Sequence, residues 1–160
     1  MSDEQNKYMR RAIALSARAS LEDRSGGVFG AVVVKDGIIV GEGWNRVIAQ
    51  NDPTWHAETS AIRAACSRLG TFDLSGATIY TSGEPCPMCL SAIYWAHIDK
   101  IYYAATIGDA LEYGGFDDSF IYEQFTKPAS ERKIPQQELL RAEGVEVWKK
   151  YAALPDKTPY

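Results

Sequence analysis

The stretch "ATIYTSGEPCPMCLSAIYWAH", Ala77–His97, reads as a strand, a short loop and a helix. β-Branched and aromatic residues fill its first part, and Pro87 suits the first turn of a helix. Cys86 and Cys89 fall at the start of that predicted helix. Three apart, they share one face of it. A helix N-terminus also lowers thiol pKa, which favours the thiolate form that binds metal. Such a pair serves a redox disulfide, half of a structural zinc site, or part of a catalytic metal site. The rest of the chain has to decide.

Working outward, Met9, Ile13, Ala14, Ala17 and Leu21 follow a helical period, so the first twenty residues read as an amphipathic helix. "FGAVVVKDGIIVGEGW" (29–44) reads as a β-hairpin, two β-branched runs joined at Asp36-Gly37. "NDPTWHAETSAIRAACSRLG" (51–70) is a loop entering a helix, with Thr54 as predicted N-cap and Gly70 as C-terminal stop. "KIYYAAT" (100–106) is a further strand, and "DALEYG" (109–114) is helical. In the tail, "FDDSFIYEQF" suits a short helix, "KPASERKIP" a loop and "EVWKKYAAL" a final helix. This element order suggests a mixed sheet between helices, in one domain spanning 1–160.

The formal net charge is -4, which argues against a nucleic-acid partner, because phosphate binding draws on an excess of Lys and Arg. Three cysteines, two of them nearly adjacent, are not a secreted disulfide framework. The polar N-terminal segment has no apolar signal core, and no run is long enough to span a membrane. The expected location is a reducing cytoplasm, with no membrane partner.

His56 precedes the cysteine pair, and one imidazole with two thiolates is a good donor set for Zn²⁺. Three protein ligands leave the fourth tetrahedral position for water, the arrangement of a catalytic site. Glu58, two residues after His56, cannot face the same way along a regular helix. The two must therefore converge beyond the helix end, where a carboxylate can take a proton from an activated water. Cys66 sits among Ile62, Ala65 and Leu69 and reads as buried core, and His97 suits a helix C-terminus. A closed four-ligand site therefore lacks its fourth ligand.

"HAETSAIRAAC" with "EPCPMCLSAIYWA" resembles the cytidine/deoxycytidylate deaminase superfamily, from the hairpin to about residue 105. The resemblance implies a three-layer α/β/α sandwich around a five-stranded mixed sheet. "GFDDSFIYEQFTKPASERKIP" and a terminal tyrosine resemble the small bacterial guanine deaminases within it. That branch implies one zinc per chain on His56, Cys86 and Cys89, with Glu58 as proton shuttle and Asp118 assisting it. Asn45, Ala57, Phe29 and Trp95 are implied to contact the base. On residue type alone Asn45 is a strand-end turn residue, Phe29 and Trp95 are core, and Asp118 is a helix cap. Tyr160 is implied to close the pocket from a neighbouring subunit, with a tail (about 125–160) swapped within a homodimer. Departures from the pattern are Gly83 where cysteine is common, Val28 where proline is usual and Thr59 where valine is commoner. "GWNR" is closer to the tRNA adenosine deaminases.

The implied reaction is hydrolytic deamination of a free purine base, guanine to xanthine and ammonia. Rivals are deamination of another small heterocycle or nucleoside (cytosine, a triazine, guanosine) and a tRNA adenosine deaminase, which should carry a basic tail. A zinc-stabilised binding module without activity would give Glu58 no task.

Overall fold

The structure is a computed structural model that describes residues 2–158. The order of elements follows the sequence pattern closely. Helix α1 (Asp3–Ala17) begins in a capping box, with the Ser2 hydroxyl accepting from the Gln5 N–H and the Gln5 side chain accepting from the Ser2 N–H. A π-turn (Arg18–Glu22) extends it. Strands β1 (Gly30–Lys35) and β2 (Ile38–Trp44) follow, joined at Asp36 and Gly37, both with positive φ. Helices α2 (Val47–Gln50) and α3 (Ala57–Leu69), strand β3 (Thr78–Gly83), helix α4 (Pro87–Trp95) and strand β4 (Lys100–Ala105) come next. Helices α5 (Ile107–Gly114), α6 (Asp118–Thr126) and α7 (Arg141–Ala152) complete the chain.

Among the described residues the sheet has four strands in the order β2-β1-β3-β4, not the five that the resemblance implied. β1 pairs antiparallel with β2 and β3, and β3 pairs parallel with β4 across the α4 crossover. No further strand forms among the described residues, because helices α5, α6 and α7 and the loop between α6 and α7 take up the sequence after β4. Thr106 and Asp109 close a capping box at α5, and the later "EVWKKYAAL" lies mostly within α7.

Alternate strand residues feed two cores. Val32, Val34 and Tyr80 pack against Tyr8, Ala12 and Leu15 of α1. Ala31, Val33 and Ile79 face Ala57, Ala61 and Ala65 of α3 with Ile93 of α4. The buried stripe of α1 is thus Tyr8, Ala12, Leu15, Ser16 and Ala19; Ile13 and Leu21, assigned to the apolar face, are exposed. The helix turns toward β1 through its small residues, because a Cβ at Gly30 would meet Ala12 and Ser16 backbone within 3 Å. α3 approaches β2 in the same way, since Cβ atoms at Gly41 or Gly43 would meet its backbone within 3 Å. That contact fixes where the N-terminus of α3 points.

Two compact units divide the chain, Met1–Ser119 and Phe120–Tyr160. The first contains the sheet. In the second, Lys133 N–H donates to the Gln124 side chain at 2.7 Å, and no residue from 120 to 158 is buried.

Candidate active site

Two helix N-termini in the first unit supply the donor atoms. His56 is the N-cap of α3, and its carbonyl accepts from the Ser60 N–H and from the Thr59 and Ser60 hydroxyls. Thr54, expected as the cap, sits in the preceding loop, where its N–H and hydroxyl donate to Asp52. Cys86 is the N-cap of α4, Pro87 opens the first turn, and Cys89 lies one turn on. Each thiol sulfur is 3.5 Å from His56 Nδ1. The three donor atoms lie within 4.8 Å of one another. An imidazole nitrogen and two sulfurs this close, with both thiols buried, fit zinc, and the positive ends of two helices favour the thiolates it requires.

Close packing of these groups shifts their titration. Burial pushes the Glu58 carboxyl up to about 7, and Glu58 is only 5% exposed. The Cys86 thiol is drawn down to about 4, chiefly by the hydrogen bond it accepts from Cys89, whose own pKa rises because its proton is held there. His56 is raised, first by its bond with Cys86. Asp118 is also raised, mainly by desolvation and then by the Cys86 charge.

A cavity of about 460 Å³ opens over this cluster. Phe29, Asn45, His56, Glu58, Cys86 and Asp118 line it, so six of the residues expected at the site meet there. Asn45 is buried, and its Oδ1 accepts from the Gly27 and Val47 backbone N–H groups at 3.2 and 3.1 Å. Those two bonds fix the amide and leave its Nδ2 donors for the cavity. Phe29 packs edge-on against Phe116, centroids 5.1 Å apart. Cys89 lies behind the wall, fully buried. Ala57 is buried in the first turn of α3, off the lining. Trp95 is not brought to the cavity: it stands 64% exposed at the far end of α4. Tyr160 lies outside the described residues.

Sequence reasoning missed Phe116, Glu84 and Gly27, all on the lining. The Glu84 carboxylate accepts from the Ile107 N–H at 3.1 Å, tying the cysteine loop to the start of α5. The one available signal for Gly27 was its place in a Gly-Gly loop before a strand; a Cβ there would meet Phe29 and Phe116.

The family model for the cytidine and deoxycytidylate deaminase zinc-binding region matches residues 2–105. The chain belongs to that family. It is therefore a zinc-dependent aminohydrolase, and His56, Cys86 and Cys89 form a cluster whose geometry fits that metal. It is 49% identical over 148 residues to guanine deaminase of Bacillus subtilis (strain 168), covering 91% of this chain and 94% of that one. A crystal structure of Bacillus subtilis guanine deaminase matches with a TM-score of 0.92 at 46% identity, covering 100% of this chain and 99% of that one. The tRNA-specific adenosine deaminase of Agrobacterium fabrum is 42% identical over 104 residues, 64% of this chain and 68% of its own.

Proposed function

We propose that this deaminase acts on free guanine, converting guanine and water to xanthine and ammonia. The carrying observation is the reach of the likeness. It extends over 91% of the chain toward a guanine deaminase and over 64% toward a tRNA-specific adenosine deaminase. The chemistry of the cavity agrees. Its volume of about 460 Å³ suits a small planar ligand, and the fixed Asn45 amide presents N–H donors to a carbonyl on the base edge.

His56, Cys86 and Cys89 would hold the zinc, which would supply Lewis acidity to make a water more acidic. This chain's own groups handle binding and protons. The purine lies between the Phe29–Phe116 wall and the donor cluster, with the carbon bearing the amine (C2) toward Glu58. Glu58 takes a proton from the attacking water and delivers it to the adjacent ring nitrogen as the C2–O bond forms. A carboxyl this buried, beside the donor cluster, suits both halves of that transfer. A second proton, released by the new C2 hydroxyl and carried by Glu58 or Asp118, reaches the exocyclic amine. The C2–N bond then breaks, ammonia leaves and the C2 carbonyl forms.

The same reading covers assembly and location: a cytoplasmic homodimer in which the tail, about 125–160, is exchanged and Tyr160 closes the partner's cavity. The absence of any buried residue from 120 to 158 supports it, since such a segment has its apolar side chains still to cover.

The test is an ammonia-release panel over guanine, guanosine, adenine, cytosine, ammeline and a tRNA anticodon stem-loop, run beside Glu58→Ala. Guanine should be the best substrate, and Glu58→Ala should keep about one zinc per chain while losing about 10²-fold or more in turnover. Inert guanine beside another reactive compound would overturn the substrate, and an active Glu58→Ala protein the mechanism.

A further inference from the structure

A column of alternating guanidinium and indole groups runs beside the site. Arg18 lies 4.1 Å from the centre of the Trp44 ring. Arg46 lies 5.8 Å from Trp44 and 5.6 Å from Trp55, and Arg63 is 5.8 Å from Trp55. The column joins the π-turn after α1, the end of β2, the loop before α3, and α3 itself. Trp44 Nε1 is buried without a hydrogen-bond partner, so this indole is held by its faces rather than by its polar edge. Among the described residues Arg46 forms no ion pair with a carboxylate. Its backbone N–H donates to the Trp55 carbonyl at 3.0 Å, so the two loops are joined at the main chain as well.

The position of the column gives it a task. Arg46 directly follows Asn45, whose amide is aimed into the cavity, and Trp55 directly precedes His56, a zinc ligand. The column adds to other ties: the Ser25 hydroxyl donates to the Asn45 carbonyl at 2.8 Å, and Trp55 N–H donates to the Asp52 carbonyl at 3.1 Å. Arg46 is followed by the short helix α2, and Pro53 and Thr54 before Trp55 are exposed. We propose that Arg46, clamped between Trp44 and Trp55, is a positioning residue that holds the base-recognising Asn45 and the zinc ligand His56 in one register. The zinc half stands on the ligand cluster alone. The base half rests on the proposed guanine reading.

The test compares Arg46→Met, which keeps the apolar stem and loses the cation, with Arg46→Lys and Trp55→Ala, all in the zinc-loaded chain. Zinc loss to excess chelator is followed together with KM and kcat for guanine and the melting temperature. Arg46→Met and Trp55→Ala should release zinc about 5- to 10-fold faster and raise KM more than they lower kcat, with Arg46→Lys in between. A lower melting temperature with zinc loss and KM within twofold of the parent would reduce the column to a stabilising surface stack and overturn the proposal. A parent chain inert on guanine would overturn the substrate reading instead, and the chelator rate would still decide the clamp.

Discussion

Glu58 is a buried acid in the first turn of α3, two residues after His56, and among the described residues it forms no salt bridge with Lys or Arg. Its pKa of about 7 has a consequence for the metal-free protein. An unfolded chain ionises this group near pH 4.3, so between about 4 and 7 the folded state holds the extra proton. The native state then binds more protons than the unfolded one, and this group's contribution to stability falls as pH rises through that window. Glu58→Gln removes the effect. In zinc-stripped protein its stability relative to the parent should rise between pH 5 and pH 8 by up to about 3 kcal/mol, read by urea titration. A difference that stays level with pH would show that Glu58 is not held neutral by burial. At this scale the sequence was legible wherever chemistry dictates residue type at short spacing, as for His56, Glu58, Cys86 and Cys89. Phe116 and Glu84 were not legible, because shape and a distant backbone N–H chose them.

The helices reach the sheet through glycine. Gly41 and Gly43 put the backbone of α3, with its Ala57, Ala61 and Ala65 stripe, directly on β2, and a methyl at Gly43 would meet Ala57 and Ala61 backbone atoms within 3 Å. No rotamer change relieves a clash with backbone. Gly43→Ala should therefore cost about 1–3 kcal/mol in urea and, by tilting α3, lower the zinc content after dialysis. Gly144 in α7 is the matched control, with nothing within 4 Å of its added Cβ. Gly144→Ala should be neutral or stabilising by up to about 1 kcal/mol and leave zinc unchanged. If both variants behave alike, close approach at β2 is not what orients α3. Element types were legible here because their signals are local: the Asp36-Gly37 turn, the Gly70 stop at φ 66° and Pro87 in the first turn of α4. The buried face of α1, the cap of α3 and the strand count were not. Each depends on which backbone packs closest, which no window of sequence contains.

On the scale of the molecule, the apolar surface is distributed unevenly. Tyr94 and Trp95, 76% and 64% exposed, stand at the end of α4 in the first unit. In the second, Leu139 and Trp148 are 83% and 71% exposed, and α7 buries none of its residues. Isolated apolar residues on a surface need no explanation, whereas grouped aromatic residues of this size mark an interface. In the proposed homodimer a second copy of the chain would supply both kinds of surface at equal concentration, and exchange of the tail would cover them without any new sequence. Light scattering should accordingly give twice the 17.7 kDa chain mass. Leu139→Asp with Trp148→Asp, ordinary surface changes in a monomer, should shift the mass toward one chain and lower guanine turnover. Under the proposed closure by Tyr160, removing the last residues should leave zinc content and oligomeric state unchanged but weaken guanine binding. A parent protein that scatters as a monomer while turning over guanine at full rate would rule out tail exchange, and the cavity would then have to close with groups from its own chain.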